Sequence, residues 1–161
     1  MHRLQNLKQS RRISKSLSKV KSSKEEVLLL KNQICFSMYS SMHRLMKLYR
    51  PLLADLGLTY PQYLVMLVMW EEKISTVSKI GDKLQLDSGT LTPLLKRLEQ
   101  MELLDRMRNP NDERSVNIVL TKKGKSLRDK AKLIPEKIFC LSGIEETQAN
   151  QLKVILDHIG Y

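Results

Sequence analysis

Two short helical patterns, Val77–Leu84 and Ser88–Gln100, are joined by only Gln85-Leu86-Asp87. So short a connection forces the helices to cross tightly as a helix-turn-helix, with Asp87 as the N-cap of the second. In that second helix Leu91, Leu94, Leu95 and Leu98 share one stripe and are expected to be buried. The opposite surface carries Ser88, Gly89, Thr90, Pro93, Lys96 and Arg97, small and basic side chains that can enter a nucleic-acid groove or simply face water. Directly behind it, Leu103–Arg108 and Arg114–Leu120 read as strands around Asn109-Pro110-Asn111-Asp112-Glu113, and Val116, Ile118 and Leu120 alternate. A hairpin that follows a helix-turn-helix at once makes a winged helix.

The rest of the chain reads as helix. From Glu25 to about Leu56, Leu30, Ile34, Met38, Met42, Leu45, Tyr49, Leu52 and Leu56 recur at helical spacing, and this long helix is expected to bend or break near Pro51. At ~1.5 Å per residue it reaches about 45 Å, longer than a domain of this size needs, so part of its apolar stripe should bury against a second copy. Thr59-Tyr60-Pro61-Gln62 forms a capping box that opens an apolar helix through Trp70. Beyond the hairpin, Thr121 should cap a helix to about Ile138, bent before Pro135, and Ser142 with Glu145 should cap the last helix through Ile159. The expected fold is mainly α: a winged helix-turn-helix with a small β-hairpin wing and a helical dimerisation region built from the N- and C-terminal helices. In residue ranges, 25–161 is one domain, with dimerisation helices in 25–58 and 121–161 and a DNA-binding lobe in 59–120.

Composition narrows the function. With 42% hydrophobic residues, 6 Gly and 5 Pro, the chain suits a packed helical protein rather than a fibrous or low-complexity one. Its longest apolar run, Tyr63–Trp70, is far short of the roughly 18 residues of a membrane span, so no membrane partner is expected. Two cysteines give neither a disulfide scaffold nor a metal-ligand pattern, and a reducing, cytoplasmic setting is the default. Neither a phosphate-cradling glycine loop nor a catalytic His/Asp/Ser set is present, and no metal or cofactor is expected; His2, His43 and His158 read as surface or packing residues. The net charge of +11 is concentrated in residues 1–24, which hold Arg3, Lys8, Arg11, Arg12, Lys15, Lys19, Lys21 and Lys24, interleaved with serines and free of acids. Such a segment reads as a disordered arm, either a solvated tail or a phosphate-seeking extension. No apolar core precedes Glu25 and Glu26, which argues against a secretory signal; an organelle transit peptide or an overlong start are the weaker readings.

On the hairpin, Arg108 and Arg114 make a chemically sensible minor-groove probe. Asp112 is an ordinary turn residue or a carboxylate that braces Arg114. Cys35 and Tyr39, at i and i+4, project from one helical face. Spacing alone leaves Cys35 either an inert hydrophobe or a reactive thiol: no helix N-terminus or fixed cation is evident, although Lys31 sits at i−4, and phenolic donors would stabilise a thiolate. Cys140 lies between the bent helix and the expected Ser142 cap, at a joint where it is a small filler or a mobile thiol.

The run Leu86-Asp87-Ser88-Gly89-Thr90-Leu91-Thr92-Pro93-Leu94-Leu95-Lys96-Arg97, the wing Asp112-Glu113-Arg114 and Leu120-Thr121 resemble the MarR family of winged-helix regulators. Within it, Asn32-Gln33-Ile34-Cys35-Phe36 and Leu58-Thr59-Tyr60-Pro61-Gln62-Tyr63 resemble the organic hydroperoxide resistance regulators, and the likeness runs from Leu30 to Ile159. The resemblance implies a homodimeric repressor, not an enzyme, on an inverted-repeat operator in double-stranded DNA. Ser88, Gly89, Thr90, Pro93, Lys96 and Arg97 would lie in the major groove and Arg114 in the minor groove. It further implies that Cys35 is oxidised by organic hydroperoxide to a sulfenic acid, with Tyr39, Tyr49 and Tyr60 around the sulfur. In the two-cysteine branch, Cys140 of the other subunit then closes a disulfide that releases DNA, and a cellular thiol reductant restores the repressor. The basic arm and Met42-His43, where Ser-Arg is common, depart from the pattern. Two other readings remain at this level: a repressor gated by a small aromatic ligand with structural cysteines, and a thiol peroxidase, for which a winged helix would have no use.

Overall fold

A computed structural model describes residues 26–109 and 112–159, without the side chains of 109 and 112–115. The basic arm, Pro110 and Asn111 lie outside the described residues. The chain divides into two compact units after His43.

In the first unit, 3-10 turns at Glu26–Leu28 and Leu30–Asn32 lead into helix α1, Ile34–Ala54, whose residues from Arg44 onward belong to the second unit. Apolar spacing predicts this helix from Glu25, but it starts at Ile34. Two side-chain amides account for the difference: Asn32 Nδ2 donates to the Glu26 carbonyl at 2.8 Å, and Gln33 Nε2 to the Val27 carbonyl at 2.6 Å. The Glu26 carbonyl also accepts the Leu29 N–H at 3.2 Å in a 3-10 turn, so these carbonyls are engaged in bonds other than those of an α-helix, and the amides compete with helix growth. Gln33 itself is extended, at φ −89° and ψ 111°. Ile34, 72% exposed, and Met38 and Met42 leave the apolar stripe uncovered in a single chain. Pro51 does not break the element; it lies inside a helix that continues to Ala54, at the cost of one backbone bond.

The second unit holds the core. Helix α2, Tyr60–Glu72, opens on the expected capping box, in which the Thr59 N–H donates to Gln62 Oε1 at 2.8 Å. It is apolar over most of its surface because most of it is buried: Val65, Met66 and Met69 are wholly enclosed, and Leu67 alone of its large apolar side chains is exposed. Strand β1, Ile74–Thr76, is absent from the sequence expectation, although Ile74, Thr76 and Val77 are the β-branched residues such a strand favours. Helices α3, Val77–Leu84, and α4, Ser88–Gln100, follow, then strands β2, Leu104–Asn109, and β3, Asp112–Leu120. The sheet is antiparallel in the order β1-β3-β2, with Ile74 opposite Val119 and Leu104 opposite Leu120. Its inner face sets Leu104, Ile118 and Leu120 against Ile80, Leu91, Leu95 and Leu98 in one buried cluster.

Helices α5, Lys122–Ala131, α6, Ile134–Ser142, and α7, Glu146–Asp157, complete the chain. Thr121 caps α5 through its hydroxyl, as expected. The single helix expected to Ile138 is two, because Pro135 cannot donate to the Ala131 carbonyl and its ring excludes that carbonyl; Pro135 sits instead in the first turn of α6. The cap of the last helix is also shifted. Ser142 ends α6, Gly143 turns left-handed at φ 66°, and Glu145 with Gln148 forms the capping box. Helix α7 buries none of its side chains, so Leu152, Val154 and Ile155 join Leu133, Phe139 and Leu141 as uncovered apolar surface.

At Gly124 the start of α5 passes so close to the wing that a Cβ would run into the Leu103 carbonyl. Gly124→Ala is therefore expected to destabilise the fold by about 3 kcal/mol in urea unfolding. A loss below about 1 kcal/mol would show that the junction yields freely.

Candidate DNA-reading helix and thiol site

The turn between α3 and α4 is fixed by backbone. Gln85 adopts the left-handed conformation, and the Leu86 N–H returns to the Gly81 carbonyl at 2.9 Å. A side chain at Gly81 would meet the Leu86 carbonyl oxygen at 2.8 Å, so the approach needs glycine. Asp87 then caps α4 by accepting the Thr90 N–H at 2.9 Å and the Thr90 hydroxyl at 2.8 Å. These bonds, the backbone one first, hold the Asp87 carboxyl below the usual carboxylate range. Leu91, Leu95 and Leu98 are buried as the stripe predicts, and Leu94 is half-buried. Ser88, Gly89, Thr90, Pro93, Lys96 and Arg97 are all exposed along one side of α4.

The wing is tied to this helix by an ion pair that sequence reasoning missed, Arg106 Nε to Glu99 Oε2 at 3.2 Å. Arg106 thus braces β2 against α4, while Arg108, two residues on, is exposed. Asp112 and Arg114 lie on β3, and their side chains are outside the described residues.

In the first unit Cys35 is exposed and occupies the first turn of α1. Spacing alone reveals no helix N-terminus there; the amide clasp at Asn32 and Gln33 creates one. The backbone N–H groups of Ile34, Cys35 and Phe36 have no acceptor within the helix, and the positive end of its dipole favours negative charge at that end. Tyr39, one turn on, meets His43 edge-on, with ring centroids 4.4 Å apart.

In the second unit Tyr49 and Tyr60 pack at 4.8 Å, and Tyr63 joins them 6.3 Å from Tyr49. Burial, reinforced by the neighbouring phenols, pushes the Tyr49 hydroxyl up to about 12, and burial raises Tyr60 as well. Both therefore stay protonated, hydrogen-bond-donating phenols throughout the physiological range. Cys140 is exposed within α6, inside a helix rather than at the joint expected for it, and lines an open groove with Leu133, Glu136, Lys137 and Leu141. His43 and Tyr63 escape the sequence reading as site residues; their i+4 and i+3 spacing to Tyr39 and Tyr60 was the available signal. Among the described residues no three His, Cys, Asp or Glu side chains gather as a metal site, and no helix is long and apolar enough to cross a membrane.

The model of the transcriptional regulator family SarA/Rot matches residues 47–131. The organic hydroperoxide resistance transcriptional regulator of Bacillus subtilis (strain 168) is 50% identical over 127 residues, which cover 79% of this chain and 86% of that protein. The chain belongs to the MarR/OhrR-type winged-helix transcriptional regulators. Among solved structures, the regulator is similar to reduced AbfR bound to DNA, at 37% identity and TM-score 0.69 over 85% of this chain and 94% of that one. It is also similar to disulfide-formed AbfR, at 37% identity and TM-score 0.58 over 84% and 90% of the two chains.

Asp87→Ala is expected to lower the thermal midpoint of the regulator by a few degrees near neutral pH. Because the folded carboxyl is held below its unfolded value of about 3.9, the cap's contribution is complete above that pH and fades as acid titrates the folded group. The gap between the melting curves of the two proteins should therefore narrow as the pH falls through the carboxylate range. A gap as wide in acid as at neutral pH would contradict the cap's charge dependence.

Proposed function

We propose that the regulator is a homodimeric repressor that binds an inverted-repeat operator in double-stranded DNA and lets go when an organic hydroperoxide oxidises Cys35. The observation that carries this reading is an exposed cysteine in the first turn of α1, one turn from Tyr39, in a chain half identical to an organic hydroperoxide resistance regulator. In DNA recognition, residues 59–120 form the reading lobe. Ser88, Gly89, Thr90 and Pro93 let α4 approach the major groove closely, Lys96 and Arg97 meet phosphates or guanine edges, and Arg108 and Arg114 carry the wing to the minor groove. The uncovered apolar side chains of α1, α6 and α7 support pairing of two copies through 25–58 and 121–161. The arm at 1–24 adds sequence-independent phosphate contacts.

The chemistry is stoichiometric and needs no metal or cofactor. The deprotonated Cys35 sulfur attacks the distal oxygen of the hydroperoxide; an S–O bond forms, the O–O bond breaks, and the alkoxide leaves and takes up a proton to become the alcohol. Cys35 is oxidised by two electrons to the sulfenic acid. Tyr39, Tyr49 and Tyr60 supply phenolic donors that favour the anionic sulfur before attack. The Cys140 thiol of the second copy then attacks the Cys35 sulfur, water departs, and a disulfide closes between subunits. That bond demands Cα atoms within roughly 4.4–6.8 Å, while two half-sites stand ~34 Å apart, so drawing helix ends together spoils simultaneous docking of both α4 helices. A cytoplasmic thiol reductant reverses the bond by exchange. AbfR, similar over most of its length and described both reduced on DNA and in a disulfide-formed state, supports a thiol–disulfide change in a regulator of this kind.

Cys35→Ser is expected to bind operator normally and stay bound when cumene hydroperoxide is added; release at the wild-type dose would remove Cys35 from sensing. Cys140→Ser should yield no covalent dimer on a non-reducing gel after oxidation, and an undiminished dimer band would exclude Cys140. Arg114→Ala should weaken operator binding and reduce the slope of log affinity against log salt by about 1. Unchanged affinity across the salt series would argue against a minor-groove role.

A further inference from the structure

We propose that His43 is a positioning residue of the thiol site, holding the Tyr39 ring in the conformation from which its hydroxyl serves the Cys35 sulfur. The inference rests on the peroxide-sensing reading above and assigns a part to a residue which that reading leaves unused. Cys35, Tyr39 and His43 follow one another at i, i+4 and i+8 along one face of α1. Within one chain Tyr39 is 62% exposed, so the chain's own packing does little to fix its rotamer, and an open phenol exchanges between rotamers within nanoseconds. Donation to a sulfur one turn away requires one of those rotamers. His43 supplies the missing restraint. Side chains on a helix lean back toward its N-terminus, so the imidazole comes down onto the residue one turn before it. The contact it makes with Tyr39 is edge-on, at an interplanar angle of 75° and a centroid separation of 4.4 Å. That geometry is held by the ring quadrupoles, which an aliphatic side chain cannot reproduce and another aromatic ring can. The three residues thus divide the work by their order along the helix. The sulfur reacts, the phenol donates to it, and the imidazole keeps the phenol in place.

The test is a double-mutant cycle on the full chain in a Cys140→Ser background, reading the rate at which Cys35 forms a dimedone-trapped sulfenic acid with cumene hydroperoxide. His43→Ala should slow the reaction roughly fivefold, and His43→Phe, which restores a ring, should stay within about twofold of the parent. With Tyr39→Phe already present, His43→Ala should slow the reaction no further, because His43 acts through the phenol it holds. Equal losses with and without the Tyr39 hydroxyl, a parent-like rate for His43→Ala, or a His43→Phe rate as low as that of His43→Ala would each overturn the inference alone. A parent protein whose Cys35 resists the hydroperoxide would overturn the sensing reading and this inference together, so the two failures are distinguishable.

Discussion

Deep in the second unit the Trp70 indole N–H donates to the Gly124 carbonyl at 2.9 Å, and much of the winged helix is arranged around that bond. It joins the end of α2, the most buried helix, to the start of α5, just where α5 leaves the wing. An indole N–H buried without a partner would cost about 1–3 kcal/mol, so the bond dictates where α5 begins. Gly124 is required at that point by the Leu103 carbonyl on its other side, and Thr121 completes the junction by donating its hydroxyl to the Glu102 carbonyl at 2.7 Å. Helix α4, the strands and α5 thereby share one buried cluster, with Ser88, Gly89, Thr90, Pro93, Lys96 and Arg97 on the outside of α4.

The thiol end depends on a different device. Asn32 and Gln33 stop a helix that its apolar periodicity would have continued, and in doing so they place Cys35 where backbone N–H groups stand unpaired. The tyrosines differ in how they are held. Burial raises Tyr49 and Tyr60, with neighbouring phenols adding to the effect at Tyr49, whereas Tyr39 is exposed and has the imidazole of His43 against its ring. An unburied donor needs a neighbour to orient it, and a buried one does not.

The helix-turn-helix is legible in the sequence almost to the residue, because a three-residue connection, an N-cap aspartate and a leucine stripe all point the same way. The capping box at Thr59 and Gln62 is legible for the same reason: a local hydrogen-bond pattern decides it. Sequence reasoning fails where local signals compete. The apolar spacing before Ile34 is helical, but two side-chain amides take the carbonyls that a helix needs. Pro135 reads as a bend and is a start, in the first turn of α6, while Pro51 reads as a bend or a break and the helix runs on past it to Ala54. Strand β1 is three residues long and exists because β3 offers it an edge, a fact of tertiary structure. Of the candidate site, the face of α4 and the positions of Cys35 and Tyr39 can be read from spacing. The Arg106–Glu99 brace and the Tyr39–His43 contact cannot, since each depends on side-chain direction rather than on sequence separation.

The central claim is that oxidation at Cys35, completed by a bond to Cys140 of the second copy, is what separates the regulator from its operator. The most direct measurement titrates the operator complex with cumene hydroperoxide and follows, in the same samples, the fraction of DNA released and the state of both thiols by mass spectrometry. The account predicts that release rises in step with the Cys35–Cys140 disulfide and reverses when the bond is reduced. Operator set free while both thiols remain unmodified would contradict it.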